Sequence, residues 1–159
     1  MTETTGILER RLKTSRPVAD PATRMLMNLD LADAHFQEAF ETATMTEGLS
    51  MSAYNVLRIL RGQPDGHPRT EIAQRMVLRR TDLTRLIDGL LRRGLAERRR
   101  GRRDRRLSVT RITPKGLKTL ERLDPLINAL VGRYRRKLTV SELETLSRLL
   151  EQLYVDHLE

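Results

Sequence analysis

The 159-residue sequence predicts a mainly α chain carrying one small β-hairpin. Three observations predict it. Apolar residues recur at helical spacing in several separate stretches, most of them opened by a capping residue. Only one stretch, 107–113, has the β-branched, alternating character of a strand, and a run of arginines precedes it. Aromatic residues are few, with three Tyr, two Phe and no Trp, so the core must be built from aliphatic side chains.

Residues 1–20 show no periodicity and lead through Pro17 to Pro21, which predicts a mobile arm. From Met25 the apolar positions fall at Leu26, Leu29, Ala32, Phe36, Ala39, Phe40 and Ala43, one face of a helix. Its other face holds Asp30, Asp33, Glu38 and Glu41, so this helix is not expected to lie on DNA phosphates. Ser50 caps a second helix whose inward face is Ala53, Val56, Leu57 and Leu60 and which stops at Gly62. GQPDGHP reads as a loop, with His67 solvated.

Thr70 then caps a short helix, TEIAQRM, with Ile72, Ala73 and Met76 inward. After a break at Val77 and Leu78, RRTDLTRLIDGLLRRG carries Leu83, Leu86, Ile87 and Leu90 as a buried stripe. It ends at Gly94, where a C-terminal glycine belongs. Leu95 and Ala96 lead into a hairpin and Leu107, Val109, Thr110 and Ile112 lead out, which leaves the arginine run and Gly101 at its tip.

Thr113-Pro114 marks the next helix start, a cap followed by proline at the first position. Leu120, Leu123, Ile127, Leu130 and Tyr134 follow at alternating spacings of three and four, with a kink expected at Pro125. Thr139 and Glu142 form a capping box for the last helix, striped by Leu143, Leu146, Leu150 and Leu153. These two stripes are longer than one small domain needs. A helical dimer interface over residues 21–48 and 114–159 is the economical explanation, within what the length predicts to be a single compact domain.

Charge is concentrated as sharply as structure. Between Arg92 and Arg106 nine arginines face only Glu97 and Asp104, which places +7 of the chain's +9 in fifteen residues. Like charges at that density cannot be core; they point into water or onto a polyanion. The absence of cysteine removes disulfides, thiolate metal sites, cysteine nucleophiles and thiol-based redox sensing.

No signal-peptide run and no membrane-length apolar stretch is present, so a cytoplasmic protein with no membrane partner is expected. No nucleophile–base pair or glycine-rich phosphate loop is recognisable, so neither an enzyme nor a cofactor is expected. His35 and Glu38 are three apart and could share a metal. With so few histidines a metal is not expected.

Two short helices followed by a basic hairpin, over residues 49–113, predict a winged helix-turn-helix that reads duplex DNA. The second helix would enter the major groove with Arg79, Arg80, Thr81, Asp82, Thr84 and Arg85 on or before its open side. Arginine can pair bidentately with guanine, and threonine can meet a phosphate or a thymine methyl. Asp82 could accept from cytosine or cap the helix, and capping is the expected role. Arg99, Arg100, Arg102, Arg103, Asp104, Arg105 and Arg106 would form the wing, and Thr70 a backbone contact. The rival reading is a nonspecific or architectural nucleic-acid binder in which the hairpin acts alone.

Five pieces stand in order: TEIAQRM, LTRLIDGLLRRGLAERR, DRR at Asp104 to Arg106, ITPKG at Ile112 to Gly116, and the LTVSELETLSRLLEQL ending. Together they resemble the multiple-antibiotic-resistance regulator (MarR) family of bacterial winged-helix transcription factors. The resemblance implies a homodimer, held by the first and last two helices, on an imperfect palindrome. It also implies regulation of nearby promoters, often relieved by a small aromatic or lipophilic effector. On that resemblance Asp104 orients Arg106 toward the minor groove, and residues 80–85 form the base-reading half of the helix. Phe36, Phe40, Met51 and Tyr54 lie where the family's ligand pocket would be lined. Arg79 departs from the pattern by standing where a small capping residue is usual, and Thr81 is the alternative cap.

Overall fold

The computed structural model describes residues 6–14, 16–76, 82–100 and 108–155. Along the chain these form α1 (Ile7–Leu12), α2 (Pro21–Met45), α3 (Met51–Arg61), α4 (Arg69–Arg75) and α5 (Leu83–Arg92). An antiparallel hairpin of β1 (Ala96–Arg100) and β2 (Ser108–Ile112) follows, then α6 (Pro114–Arg135) and α7 (Val140–Gln152). The mainly α class with one hairpin is therefore the fold observed.

The contacts divide the chain into two compact units, residues 1–40 and 41–159. In the first unit the expected arm carries structure. Residues 7–12 are helical, and Leu8 and Glu9 are buried. The Glu9 carboxylate accepts from the Val18 amide at 3.3 Å and pairs with Arg24 of α2. A periodicity search misses a helix of so few turns. The rest of this unit is the first part of α2, largely exposed, with Leu26 and Leu29 on its surface.

The second unit holds the core. Val56, Leu57 and Leu60 of α3, Ile72 of α4, Leu90 of α5, Leu95, and Leu120 and Leu123 of α6 are excluded from solvent almost completely. The caps named from sequence are largely in place. Ser50 accepts from the Ala53 amide, Thr113 from Gly116, and Thr139 and Glu142 close a reciprocal capping box. Thr70 is an exception. Pro68 holds the N-cap position of α4, with no side-chain hydrogen bond, and Thr70 is the second helical residue. Ala73 faces solvent rather than the core, because Ile72 and Met76 suffice to anchor so short a helix. α6 continues through Pro125 as one assigned helix, so the expected kink does not end it.

His67 is buried rather than solvated. Its backbone exchanges two hydrogen bonds with Thr110, at 3.0 and 2.9 Å, and adds a rung beside β2. Burial first, and the Arg75 cation second, push its imidazole below the ordinary pKa of 6.5. The unfolded chain therefore binds a proton here at a pH where the folded chain does not, and stability falls as pH drops below about 6.5. Urea unfolding across pH 5 to 7.5 checks this: His67→Gln flattens that part of the profile. An unchanged slope would remove His67 as its source.

The end of α5 is held by the start of α6, which fixes the hairpin between them. Gly94 adopts φ +68°, and the Leu95 and Gly94 amides close back on Leu90 and Leu91 in a Schellman turn. The carbonyls left over are taken by TPK. Lys115 Nζ donates to Arg93 at 2.8 Å, Thr113 Oγ1 to Gly94 at 2.7 Å and the Thr113 amide to Leu95 at 3.1 Å. Gly116 lets this happen: a Cβ there would overlap the Leu95 carbonyl oxygen and press on Ile112 Cγ1 at 2.8 Å. Gly116→Ala is expected to cost about 1–3 kcal/mol through forced backbone movement, read as a lower urea midpoint. An unchanged midpoint would contradict the close approach.

Candidate nucleic-acid interface

The hydrophobic stripe of α5 determines what its other side presents. Ile87 and Leu90 are buried and Leu83 and Leu86 half-buried, so Thr84, Arg85 and Arg92 are left exposed. Asp82 is the N-cap; its Oδ1 accepts from the Arg85 amide at 3.1 Å. Its carboxylate is therefore committed to holding the first turn, as the capping reading expected. The helix begins at Leu83, and the turn carrying Arg79, Arg80 and Thr81 lies outside the described residues.

Side chains tie this helix to its neighbours on both sides. Arg69, the first residue of α4, donates through Nη1 to Thr84 Oγ1 at 2.8 Å. Asp88, one turn after Thr84, pairs with Arg98 of β1 at 2.8 Å. At the far end Arg93 donates to the carbonyls of Glu47 and Gly48, each at 2.6 Å. The Glu47 carboxylate is gripped at both oxygens by Arg122 of α6, at 2.6 and 2.7 Å. The hydrogen bond from Arg122 holds the Glu47 carboxyl below the ordinary carboxylate range, so the pair is ionised at neutral pH. Individual exposed ion pairs contribute little stability. Their effect here is to orient α5.

The hairpin pairs Ala96 with Ile112 and, at its far end, Arg100 with Ser108. Val109 and Thr110 are buried, whereas Arg98, Arg99 and Arg100 are exposed. These three arginines thus lie on a strand rather than at the tip, because Leu95 and Ala96 enter the hairpin earlier than the arginine run ends. Glu97 lies opposite Arg111 and accepts from Arg99 at 3.0 Å, which lowers its pKa through the Arg99 hydrogen bond first. Arg102, Arg103, Asp104, Arg105 and Arg106 lie outside the described residues.

Other expected residues fall as follows. Thr70 is exposed beside Arg69. Leu146 and Leu153 of the last stripe are 46% and 50% exposed, and α7 has no buried residue, so its apolar face is left uncovered by the single chain. Leu143, Leu150 and Ile127 are half-buried and Tyr134 is exposed. Leu130 is buried within the chain itself. In the first unit the Phe36 and Phe40 ring centres lie 5.5 Å apart with the rings tilted at 51° to each other. In the second, Met51 is half-buried and Tyr54 is buried, with Arg58 6.0 Å from its ring centre.

Among the described residues no group of carboxylates and histidines could hold a metal ion, and no helix is long and apolar enough to cross a membrane. Sequence reasoning missed Arg69, Asp88 and Arg98 as partners. Asp88 was visible only as the polar residue four after Thr84, and nothing local marked Arg69.

Comparison with known proteins matches this arrangement. Residues 49–108 match the model described as MarR family. A protein named as a transcriptional regulatory protein for the hcr operon of Thauera aromatica is 28% identical over 121 residues, 76% of this chain and 72% of the relative. The transcriptional repressor CouR, solved bound to a 23-mer DNA duplex, superposes with a TM-score of 0.74 at 26% identity, covering 88% of this chain and 99% of that one. The PcaV regulator of Streptomyces coelicolor, solved with its natural ligand, gives 0.66 at 25% identity over 91% of this chain and 100% of that one.

Proposed function

We propose that the chain, whose residues 49–108 match the model described as MarR family, is a DNA-binding transcriptional regulator rather than an enzyme, and that it acts as a homodimeric repressor. It binds a palindromic operator, and a small aromatic or lipophilic ligand lowers its affinity. The observation that carries this reading is α5 itself. One face is packed into the core and the other offers Thr84 and Arg85, with Arg98 to Arg100 standing alongside on β1. Arg79, Arg80 and Thr81 extend the reading surface, and the arginines from Arg102 to Arg106, with Asp104, supply the wing. Thr70 adds a backbone contact.

Two copies joined through the leucine face of α7 would set two α5 helices roughly 34 Å apart, one helical turn of DNA. Anything that changes this spacing changes affinity, and a ligand does so only if it binds the two arrangements differently. That the PcaV regulator was solved with its natural ligand supports a small-molecule effector, and the Phe36–Phe40 ring pair supports an aromatic or lipophilic one. Footprinting on a duplex selected by the chain from a random pool tests the reading. Two protected half-sites related by two-fold symmetry, centred about 10 base pairs apart, are expected. A single asymmetric footprint would contradict the dimer.

The local arginine excess favours a second reading, nonspecific binding by the hairpin alone. That reading requires affinity to fall with salt at a slope of roughly −0.9 per neutralised phosphate, equally on every sequence.

A further inference from the structure

We propose that Arg69 is a positioning residue that biases the Thr84 hydroxyl toward donating a hydrogen bond to DNA, and so influences which base edge Thr84 prefers. This rests on the DNA-reading role of α5 and deepens it. A threonine hydroxyl offers one hydrogen and two lone pairs, and left alone it can meet either a donor or an acceptor on a base edge. Arginine can only donate. Because Arg69 Nη1 lies 2.8 Å from Thr84 Oγ1, one lone pair of that oxygen is taken, and its hydrogen must turn away from the cation.

The hydroxyl that remains for a partner is thus biased to donate. It favours acceptors such as guanine O6 and N7, adenine N7 or thymine O4, and disfavours the amino groups of adenine and cytosine. Placement agrees with this role. Arg69 and Thr84 are both exposed, on the two helices of the helix-turn-helix, and the reach between them crosses from α4 to the first turn of α5. Among the described residues the Arg69 guanidinium makes no ion pair with a carboxylate, so its charge is not cancelled there. A side chain on the first helix also lies where that helix crosses the DNA backbone, so the donors left on Arg69 add affinity of the sequence-independent kind.

The experiment is selection of duplexes from a random pool by the full chain and by Arg69→Met, Arg69→Lys, Thr84→Val and the Arg69→Met/Thr84→Val double variant, followed by single-base-pair substitution of the winning duplex. The original chain is expected to prefer one acceptor-bearing base by about tenfold at one position in each half-site. Arg69→Met and Thr84→Val both reduce that preference to within about twofold at that same position, and the double variant loses no more than either alone. Arg69→Lys, which keeps a donor, retains most of it.

Unchanged preferences in Arg69→Met would overturn the proposal. So would changes at a different position from Thr84→Val, or additive losses in the double variant. If the original chain selects no consensus at all, the DNA-reading role fails first and this inference with it. Thermal melting of each variant separates a folding defect from a reading defect, since both side chains are exposed.

Discussion

Arg85→Glu is expected to lower affinity for the selected operator by a hundredfold or more, while affinity for a scrambled duplex falls only severalfold. Arg85 is exposed on α5, its backbone amide is fixed by the Asp82 cap, and the opposite face of the helix is locked by Ile87 and Leu90. The side chain is thus presented from a helix that cannot easily turn. A bidentate arginine–guanine pair discriminates by about 1–3 kcal/mol, or roughly tenfold to a hundredfold. Reversing the charge adds repulsion by the phosphates on any sequence, which explains the smaller loss on scrambled DNA. Arg85→Gln separates the two effects: it keeps a hydrogen-bonding plane and removes the charge. Fluorescence anisotropy on both duplexes reads the result. Equal losses on the two would assign Arg85 to the backbone and take α5 out of sequence reading.

Leu146→Asp combined with Leu153→Asp is expected to convert the protein to a monomer and to remove most operator binding. These positions are about half exposed in the single chain, and α7 buries nothing. Apolar surface of this kind, at three-and-four spacing, gains stability when it is covered, and on the proposed reading a second copy covers it. Charge placed there costs the dimer the burial of both leucines in each subunit and adds four carboxylates that repel. The isolated fold should survive, since neither residue belongs to its core. Loss of the second half-site removes the gain from tethering, which amounts to roughly 10²–10⁴ in affinity. Analytical ultracentrifugation and anisotropy together decide it. A variant that stays dimeric would move the interface elsewhere, and a monomer with full affinity would contradict two-site binding.

What the sequence revealed follows from how local each signal is. Ser50, Thr113 and the Thr139–Glu142 box cap their helices within three residues, so the amino acids alone identify them. The stripes of α3 and α5 likewise need only period and side-chain type. Thr70 failed as a cap because the helix starts one residue earlier, at Arg69, and Pro68 takes the N-cap position. The contacts that position the reading helix were not legible. Arg69 with Thr84, Asp88 with Arg98 and Glu47 with Arg122 each join residues from different elements, and only the packed fold brings them together. His67 escaped for the same reason: a loop composition predicted water, and its rung with Thr110 placed it in the interior. Arg98, Arg99 and Arg100 were expected at the hairpin tip and lie on β1 instead, since strand register depends on where Ala96 meets Ile112.

The most direct measurement is the affinity of the unmodified protein for its selected duplex and for a scrambled duplex of the same composition, by fluorescence anisotropy at low and at physiological salt. Discrimination of a hundredfold or more that persists at physiological salt is the result expected of a regulator that reads bases through α5. Equal affinities that collapse together as salt rises would contradict it and leave the arginine hairpin as the whole of the binding site.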